Sequence, residues 1–442
     1  MQIPKDFETR MRSMLGSDYP AFAAALSSPE QNIGLRIVRP AARPLVLSRL
    51  GYMDPVVWCP DGFYTDKSKI SGSHPYHIAG LVYFQEPSAM APAEALDIQP
   101  GDRVLDLCAA PGGKATQAGA KLQGQGLLVA NEIIPRRAQV LAENITRCGI
   151  PNCIVSNEVP ERLAARFPGF FNKIIVDAPC SGEGMFRKEP QAIAEWSLAH
   201  TQSCARRQTR ILDCAAEMLA PGGKMVYSTC TFAPCENEGV IDSLLASNPA
   251  LSLAESGLTG LSPGNGAWAG SMRDLSGTRR VFPHLQRGEG HFIAVLQKNG
   301  TDVNPTPPLR STAPPADYRT FEQQALKIRL DGGFQLFGDH LYLVPANIQG
   351  LKVVRAGLYL GICKKGRFEP SHALALACRQ ADFQNTLNFS ADDPSLAAFL
   401  HGETLSCAAA GWTAVCVDGF PIGWGKAAGG ILKNHFPKAL RL

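Results

Sequence analysis

The chain has 442 residues, 45% of them apolar and 19% charged, which excludes a disordered or fibrous protein and leaves room for two or three domains with their own cores. No apolar run approaches the roughly 18 residues a bilayer span needs, and the opening MQIPKDFETRMRSMLG lacks a secretory apolar segment, so a cytoplasmic protein without membrane contact is expected. Thirteen cysteines without a C-x-x-C pair argue against a disulfide framework or zinc site, and the net charge of +4 equals the cation surplus of residues 341–442, a mild hint of a polyanion partner.

In chain order, Asp6–Leu15 and Tyr19–Leu26 read as short amphipathic helices. GLRIVRP and WCPDGFY follow as a loop-rich lead, and residues 1–92 are expected to cap the next domain. Between 93 and 298, near-continuous apolar runs alternate with helical stretches, the pattern of a parallel sheet covered on both faces. The strands are RVLDLCA, GLLVANE, NCIVSNE, KIIVDAP and KMVYSTC. The helices between them are Ala115–Leu122, Arg136–Cys148, Val159–Phe167 and Ser197–Leu219, the last stopping at Pro221-Gly222-Gly223; strands near Arg280–Pro283 and His291–Leu296 close the sheet. The proline-rich stretch within 299–318 reads as a linker, and 319–442 as a small antiparallel sheet or barrel.

Each buried strand ends in a polar or reactive group, and in an open α/β sheet such ends converge on one crevice. Asp106, Glu132, Asn157 or Glu158, Asp177, Cys180 and Cys230 are therefore expected around one site. The small residues of CAAPGGK, Cys108–Lys114, let backbone amides approach a ligand at a helix start, but they do not match the dinucleotide fingerprint. A carboxylate-bearing cofactor with a ribose for Glu132 and an adenine for the third strand end describes S-adenosyl-L-methionine. Two cysteines over such a crevice suit methylation at carbon: C5 of a pyrimidine becomes nucleophilic when a thiolate adds at C6, and the thiol must later leave. Asp177 is expected to hydrogen-bond the cytosine edge, at N3 or the exocyclic amine. The base must be unstacked, because C6 is out of reach inside a helix.

VLDLCAAPGGKATQ, DAPCSGEGMFRK, STCTFAPCENEGVI and QEPSAM together resemble the Sun/NSUN RNA cytosine-5 methyltransferases, most closely the bacterial RsmF-like branch that acts on 16S rRNA. The resemblance implies a Rossmann-like S-adenosyl-L-methionine-dependent α/β catalytic domain at 93–298. It implies an RNA-binding amino-terminal cap at 1–92 and a PUA-like RNA-binding region at 319–442. It also implies Cys230 as nucleophile and Cys180 as the group assisting release. Cofactor contacts carry over to Cys108, Ala109, Ala110, Pro111, Gly112, Gly113, Lys114, Glu132 and Asp177, and to Glu158 with Asn157 as the alternative. In the tail, Lys426, Lys433 and Arg441 are expected to meet RNA, whereas Trp412 and Phe420 are expected in a barrel core; Arg36, Arg39 and Arg43 are candidate phosphate contacts. The expected partner is 16S rRNA or the small ribosomal subunit, met by a monomer. A tRNA cytosine-5 methyltransferase and an RNA-binding assembly factor with a dispensable catalytic site remain as alternatives.

Overall fold

A computed structural model describes residues 3–29, 32–66, 68–301 and 312–442. The catalytic region contains β1 (Arg103–Asp106), α1 (Gly113–Leu122), β2 (Leu127–Asn131), α2 (Pro135–Arg147), β3 (Cys153–Ser156), α3 (Pro160–Arg166), β4 (Phe171–Asp177), α4 (Leu198–Met218) and β5 (Leu219–Thr229). It continues with α5 (Glu238–Ser247), β6 (Leu251–Ala254), β7 (Ser262–Pro263), β8 (Arg279–Val281) and β9 (His291–Lys298). Along each central strand successive side chains enter opposite cores. Leu105, Val129, Ile154 and Ile174 face α3, α4 and α5, while Val104, Leu128, Val155 and Ile175 face α1 and α2. Both faces are covered, which is why the strands read as continuous apolar runs.

β1 to β5 are parallel and β9 is antiparallel to β5. The spatial order is β7-β8-β9-β5-β4-β1-β2-β3, with β6 on β9, so strand succession reverses between β1 and β4. A crevice belongs at that reversal. The helix expected to run to Leu219 instead ends at Met218, and β5 runs through Pro221–Gly223. Leu219 already pairs with Phe171, so sheet pairing overrides the turn signal of the Pro-Gly-Gly triplet.

Three features depart from the sequence reading. The lead before the catalytic sheet is itself a four-stranded antiparallel sheet, ordered Pro55–Val56, Cys59–Thr65, Ile33–Ile37, Val82–Phe84. The carboxyl-terminal region forms two sheets rather than one, and Thr386–Phe389 pairs in parallel with Gly411–Val417. A further strand, β10 (Val353–Ala356), leaves that region to pair antiparallel with β3, extending the catalytic sheet. Buried Arg355 fixes it by donating to Cys153 O at 2.6 Å and Ile150 O at 2.7 Å. Of the expected linker, residues 302–311 lie outside the described residues.

The amino-terminal helices Lys5–Leu15 and Tyr19–Ser27 dock through Phe7, Tyr19 and Phe22 against Phe186, Trp196, Phe232 and Phe282. The amino-terminal sheet shares a core with the last domain, where Leu35, Ile37 and Val46 meet Phe399, Val415 and Ile422. Arg36, expected to follow phosphates, is only 1% exposed. Its guanidinium donates to Gln85 Oε1 at 2.8 Å, Gly113 O at 3.0 Å and Thr116 Oγ1 at 2.7 Å, bracing the first turn of α1. Arg39 donates to Leu376 O and Arg43 pairs with Asp61 at 2.6 Å, so these cations too serve internal contacts.

Candidate active site

A cleft of about 670 Å³ opens over the carboxyl ends of β1, β2, β4 and β5. Its walls include Cys108, Ala110, Glu132, Val159, Asp177, Cys180 and Cys230. The loop after β1 carries Ala109, whose N–H donates to Asn131 O at 2.8 Å, and Pro111, whose carbonyl accepts from Asn144 Nδ2 at 2.9 Å. Gly112 adopts φ +119°, and a Cβ there would meet Leu141 at 3.2 Å. Glycine is thus needed for the turn into α1, which starts at Gly113. Burial pushes the Cys108 thiol up, with the charges of Asp106 and Asp177 adding to it.

Lys114, on the first turn of α1, reaches across to Asp177 at the end of β4, with Nζ 2.8 Å from Oδ2. Asp177 Oδ1 accepts from Ser228 Oγ at 2.7 Å and lies 3.7 Å from His291 Nε2. Burial alone would raise the Asp177 carboxyl, but Lys114 and His291 together hold it below the usual carboxylate range. The side chain remains 33% exposed to the cleft and carries its charge there.

Asp106 is the opposite case. It is wholly buried, and neither carboxylate oxygen has a well-aligned hydrogen-bond partner among the described residues. Burial, then the charge of Asp177, pushes its carboxyl up to about 8. Glu132 at the end of β2 is buried, accepts the Ile134 N–H at 2.9 Å and lies 3.2 Å from Arg137.

The structure does not bring Glu158 to the cleft wall. Strand β10 captures it: the Lys352 N–H donates to Glu158 Oε1 at 2.7 Å, Arg162 lies 3.5 Å from its other oxygen, and the carboxylate is buried. Asn157, the alternative, donates its backbone N–H to Lys352 O at 2.9 Å and its side-chain amide to Glu132 O at 2.7 Å. Val159, Pro160 and Glu161 form that part of the wall instead.

The two cysteines meet. Cys180 Sγ lies 3.3 Å from Cys230 Sγ, on loops leaving adjacent parallel strands. Gly184 permits this approach, because a Cβ there would fall 2.9 Å from Gly290 O and 3.0 Å from Cys230 O. Cys180 is pushed well up by its contact with Cys230 and by burial, so it stays a thiol. Among the described residues there is no cluster of His, Cys, Asp and Glu suited to hold a metal ion.

Residues 93–297 match the family described as 16S rRNA methyltransferase RsmB/F, and residues 3–87 match the N-terminal domain of 16S rRNA methyltransferase RsmF. Residues 320–378 match the RsmF rRNA methyltransferase first C-terminal domain, and 386–442 the methyltransferase RsmF PUA domain. Ribosomal RNA small subunit methyltransferase F of Serratia proteamaculans (strain 568) is 33% identical over 88% of this chain and 84% of its own length. The chain belongs to the RsmB/F family of 16S rRNA methyltransferases. The like-named protein of Escherichia coli O7:K1 is 31% identical over 99% of this chain and 96% of its own. Among solved structures, a methyltransferase homolog from Pyrococcus horikoshii has a TM-score of 0.60 at 29% identity, covering 67% of this chain and 95% of its own. NSun6 from the same organism, solved with SFG, has a TM-score of 0.58 at 21% identity over 67% and 99%, a likeness of fold.

In this RsmB/F methyltransferase the sequence reading passed over four polar groups at the site. Ser228 and His291 support Asp177; Glu236 and Gln208 support the Cys180 loop. Ser228 and Glu236 stand inside the quoted STCTFAPCENEG stretch, so a signal was present, whereas Gln208 and His291 carried none. In the PUA-matching region Trp412 and Phe420 are half-buried, and Phe399, Trp424 and Phe436 are the buried aromatics. Lys426 and Lys433 are exposed, with Lys426 Nζ 5.4 Å above the Trp412 ring, and Arg441 is half-buried.

Proposed function

We propose that the protein methylates C5 of a cytosine in 16S rRNA, with S-adenosyl-L-methionine as donor and a transient bond from Cys230 to C6. The observation that carries this reading is the 3.3 Å contact between two thiols that also face a cleft with an ionised aspartate. The donor fits the residues present: Glu132 on the cleft wall is an acid suited to a ribose diol, and behind the wall Asp106 is a buried carboxyl whose oxygens have no hydrogen-bond partner among the described residues and which an ammonium group beside it would ionise. We assign donor binding to Cys108, Ala109, Ala110, Pro111, Gly112, Gly113, Lys114, Glu132 and Asp177, and replace Glu158 by the Val159–Glu161 wall. When bound, the donor supplies an electrophilic methyl group.

Cys230 adds as thiolate to C6, and the electron pair of the C5–C6 bond moves to C5, which takes the methyl group. Ionised Asp177 is an acceptor only, so it bonds the exocyclic amine rather than N3 and orients the ring. Loss of the C5 proton to water restores the C5–C6 double bond and expels Cys230 as thiolate, which a hydrogen bond from the neighbouring Cys180 thiol stabilises as it leaves. We assign residues 1–92 and 319–442 to grip RNA around this cleft and 93–298 to the chemistry.

The test uses two variants incubated with 16S rRNA and donor. Cys180→Ala accumulates a covalent protein–RNA complex on a denaturing gel, since addition proceeds while release stalls; Cys230→Ala gives neither complex nor product. A Cys230→Ala protein that traps RNA would invert the two roles. Bisulfite sequencing of 16S rRNA from cells with and without the gene identifies the acceptor.

A further inference from the structure

Behind Cys180 lies a set of hydrogen bonds that the chemistry above does not use. Both neighbours of Cys180 are held. Gln208, on α4, donates to Pro179 O at 3.0 Å, and Ser181 donates its backbone N–H to Glu236 Oε2 at 3.0 Å and its hydroxyl to Oε1. Gln208 also donates to Glu236 Oε2 at 2.8 Å, which ties the two supports together. Glu236 is itself fixed by Tyr227, whose phenol donates to its backbone carbonyl at 2.6 Å. The carboxylate is wholly buried and no cation is paired with it among the described residues. An unpaired buried carboxylate is costly, and here its lone pairs are spent on the loop that carries the second thiol.

We propose that Glu236, seconded by Gln208, is a positioning residue for product release, pinning the 179–181 loop so that the Cys180 thiol stays in contact with Cys230. This rests on the reading of Cys180 as the release thiol. A carboxylate in this place also disfavours a second negative charge on Cys180, leaving Cys230 as the nucleophile. Burial pushes the Glu236 carboxyl up to about 7, with the Glu183 charge adding to it against the bonds from Ser181 and Gln208. The titratable groups facing it are Cys180 and Glu183 after β4, Cys204 on α4, Tyr227 on β5 and the adjacent Cys235; Glu183 is paired with Arg10. Protonation turns one acceptor into a donor and so loosens the loop below about pH 7.

The experiment measures trapped protein–RNA complex and steady-state turnover from pH 6 to 8.5 on the full-length enzyme with 16S rRNA. Glu236→Ala is expected to accumulate the complex as Cys180→Ala does, with turnover down about 10²-fold, the low end for losing a donor to a developing anion. Glu236→Gln has the shape and the single donor of the protonated acid. It holds the loop better than Ala and so traps less complex than Glu236→Ala, and it traps the same amount from pH 6 to 8.5, at the level the native enzyme reaches only below pH 7. Gln208→Ala, which frees Pro179 and removes one bond to Glu236 while leaving Ser181 held, gives partial trapping and carries the test if Glu236→Ala does not fold. Release at the native rate with no trapped complex in both Ala variants overturns the positioning role. Absence of complex in Cys180→Ala overturns the release reading instead, so the two failures are distinguishable.

Discussion

Asp177 and Asp106 end adjacent strands, yet their surroundings drive them in opposite directions. Asp177 keeps its charge through Lys114, so Lys114→Met is expected to move the acid limb of kcat/KM for RNA up by about 1–2 pH units, the effect of one adjacent cation. A pH–rate profile reads this directly. Asp106 binds its proton to about pH 8 in the folded chain and to about pH 4 unfolded. Its stabilising contribution is complete below about pH 4 and is lost as pH rises through about 8. Asp106→Asn is therefore expected to flatten the fall in melting temperature between pH 5 and 8.5 in donor-free protein, while weakening donor binding in calorimetry. Residues at strand ends, Asp177, Cys180 and Cys230 above all, were legible because apolar runs fix where a strand must stop. Glu158 was not. Its fate is decided by Lys352, far along the chain, and no local pattern announces that bond.

Around the catalytic sheet, β1 to β5, β8, β9 and α1 to α4 were legible within a few residues, since two covered faces leave one strong signal, whereas α5, β6 and β7 were passed over in a stretch rich in glycine and serine. The strand that completes it was hidden, because Val353–Ala356 sits among turn residues and looks like part of the small sheet that follows. Its anchor is testable. Arg355→Ala takes the guanidinium donors from the carbonyls of Cys153 and Ile150, and is expected to cost about 2–6 kcal/mol in urea unfolding, at about 1–3 kcal/mol per orphaned group. A second buried device joins β8 to α5, where Arg280 meets both oxygens of Glu238, at 2.8 and 2.5 Å. Glu238→Gln is expected to cost about 3–5 kcal/mol, because it strands a buried cation.

At the scale of the whole molecule, the amino- and carboxyl-terminal regions are packed on each other. Tyr76 donates to Asp418 at 2.8 Å and a shared apolar core lies beneath. Composition and pattern announced separate modules but gave no sign of this closure, since contacts between distant surfaces carry no periodicity. Lys426, Lys433 and Lys438 are exposed cations that the PUA-matching region can offer a phosphate backbone. Lys426→Ala/Lys433→Ala is expected to weaken RNA binding and to flatten the log Kd against log salt slope by about 0.7–0.9 for each phosphate no longer neutralised, read from filter binding at several salt concentrations.

The pairing of β3 with β10 has a temporal side. A nascent chain emerging from its amino end presents the edge of β3 as an open row of amides and carbonyls long before Val353 is synthesised. The catalytic sheet is thus finished only when the first carboxyl-terminal domain has been made. A protein truncated by a premature stop before that point carries both thiols but not the strand that seats the wall of the cleft beside them.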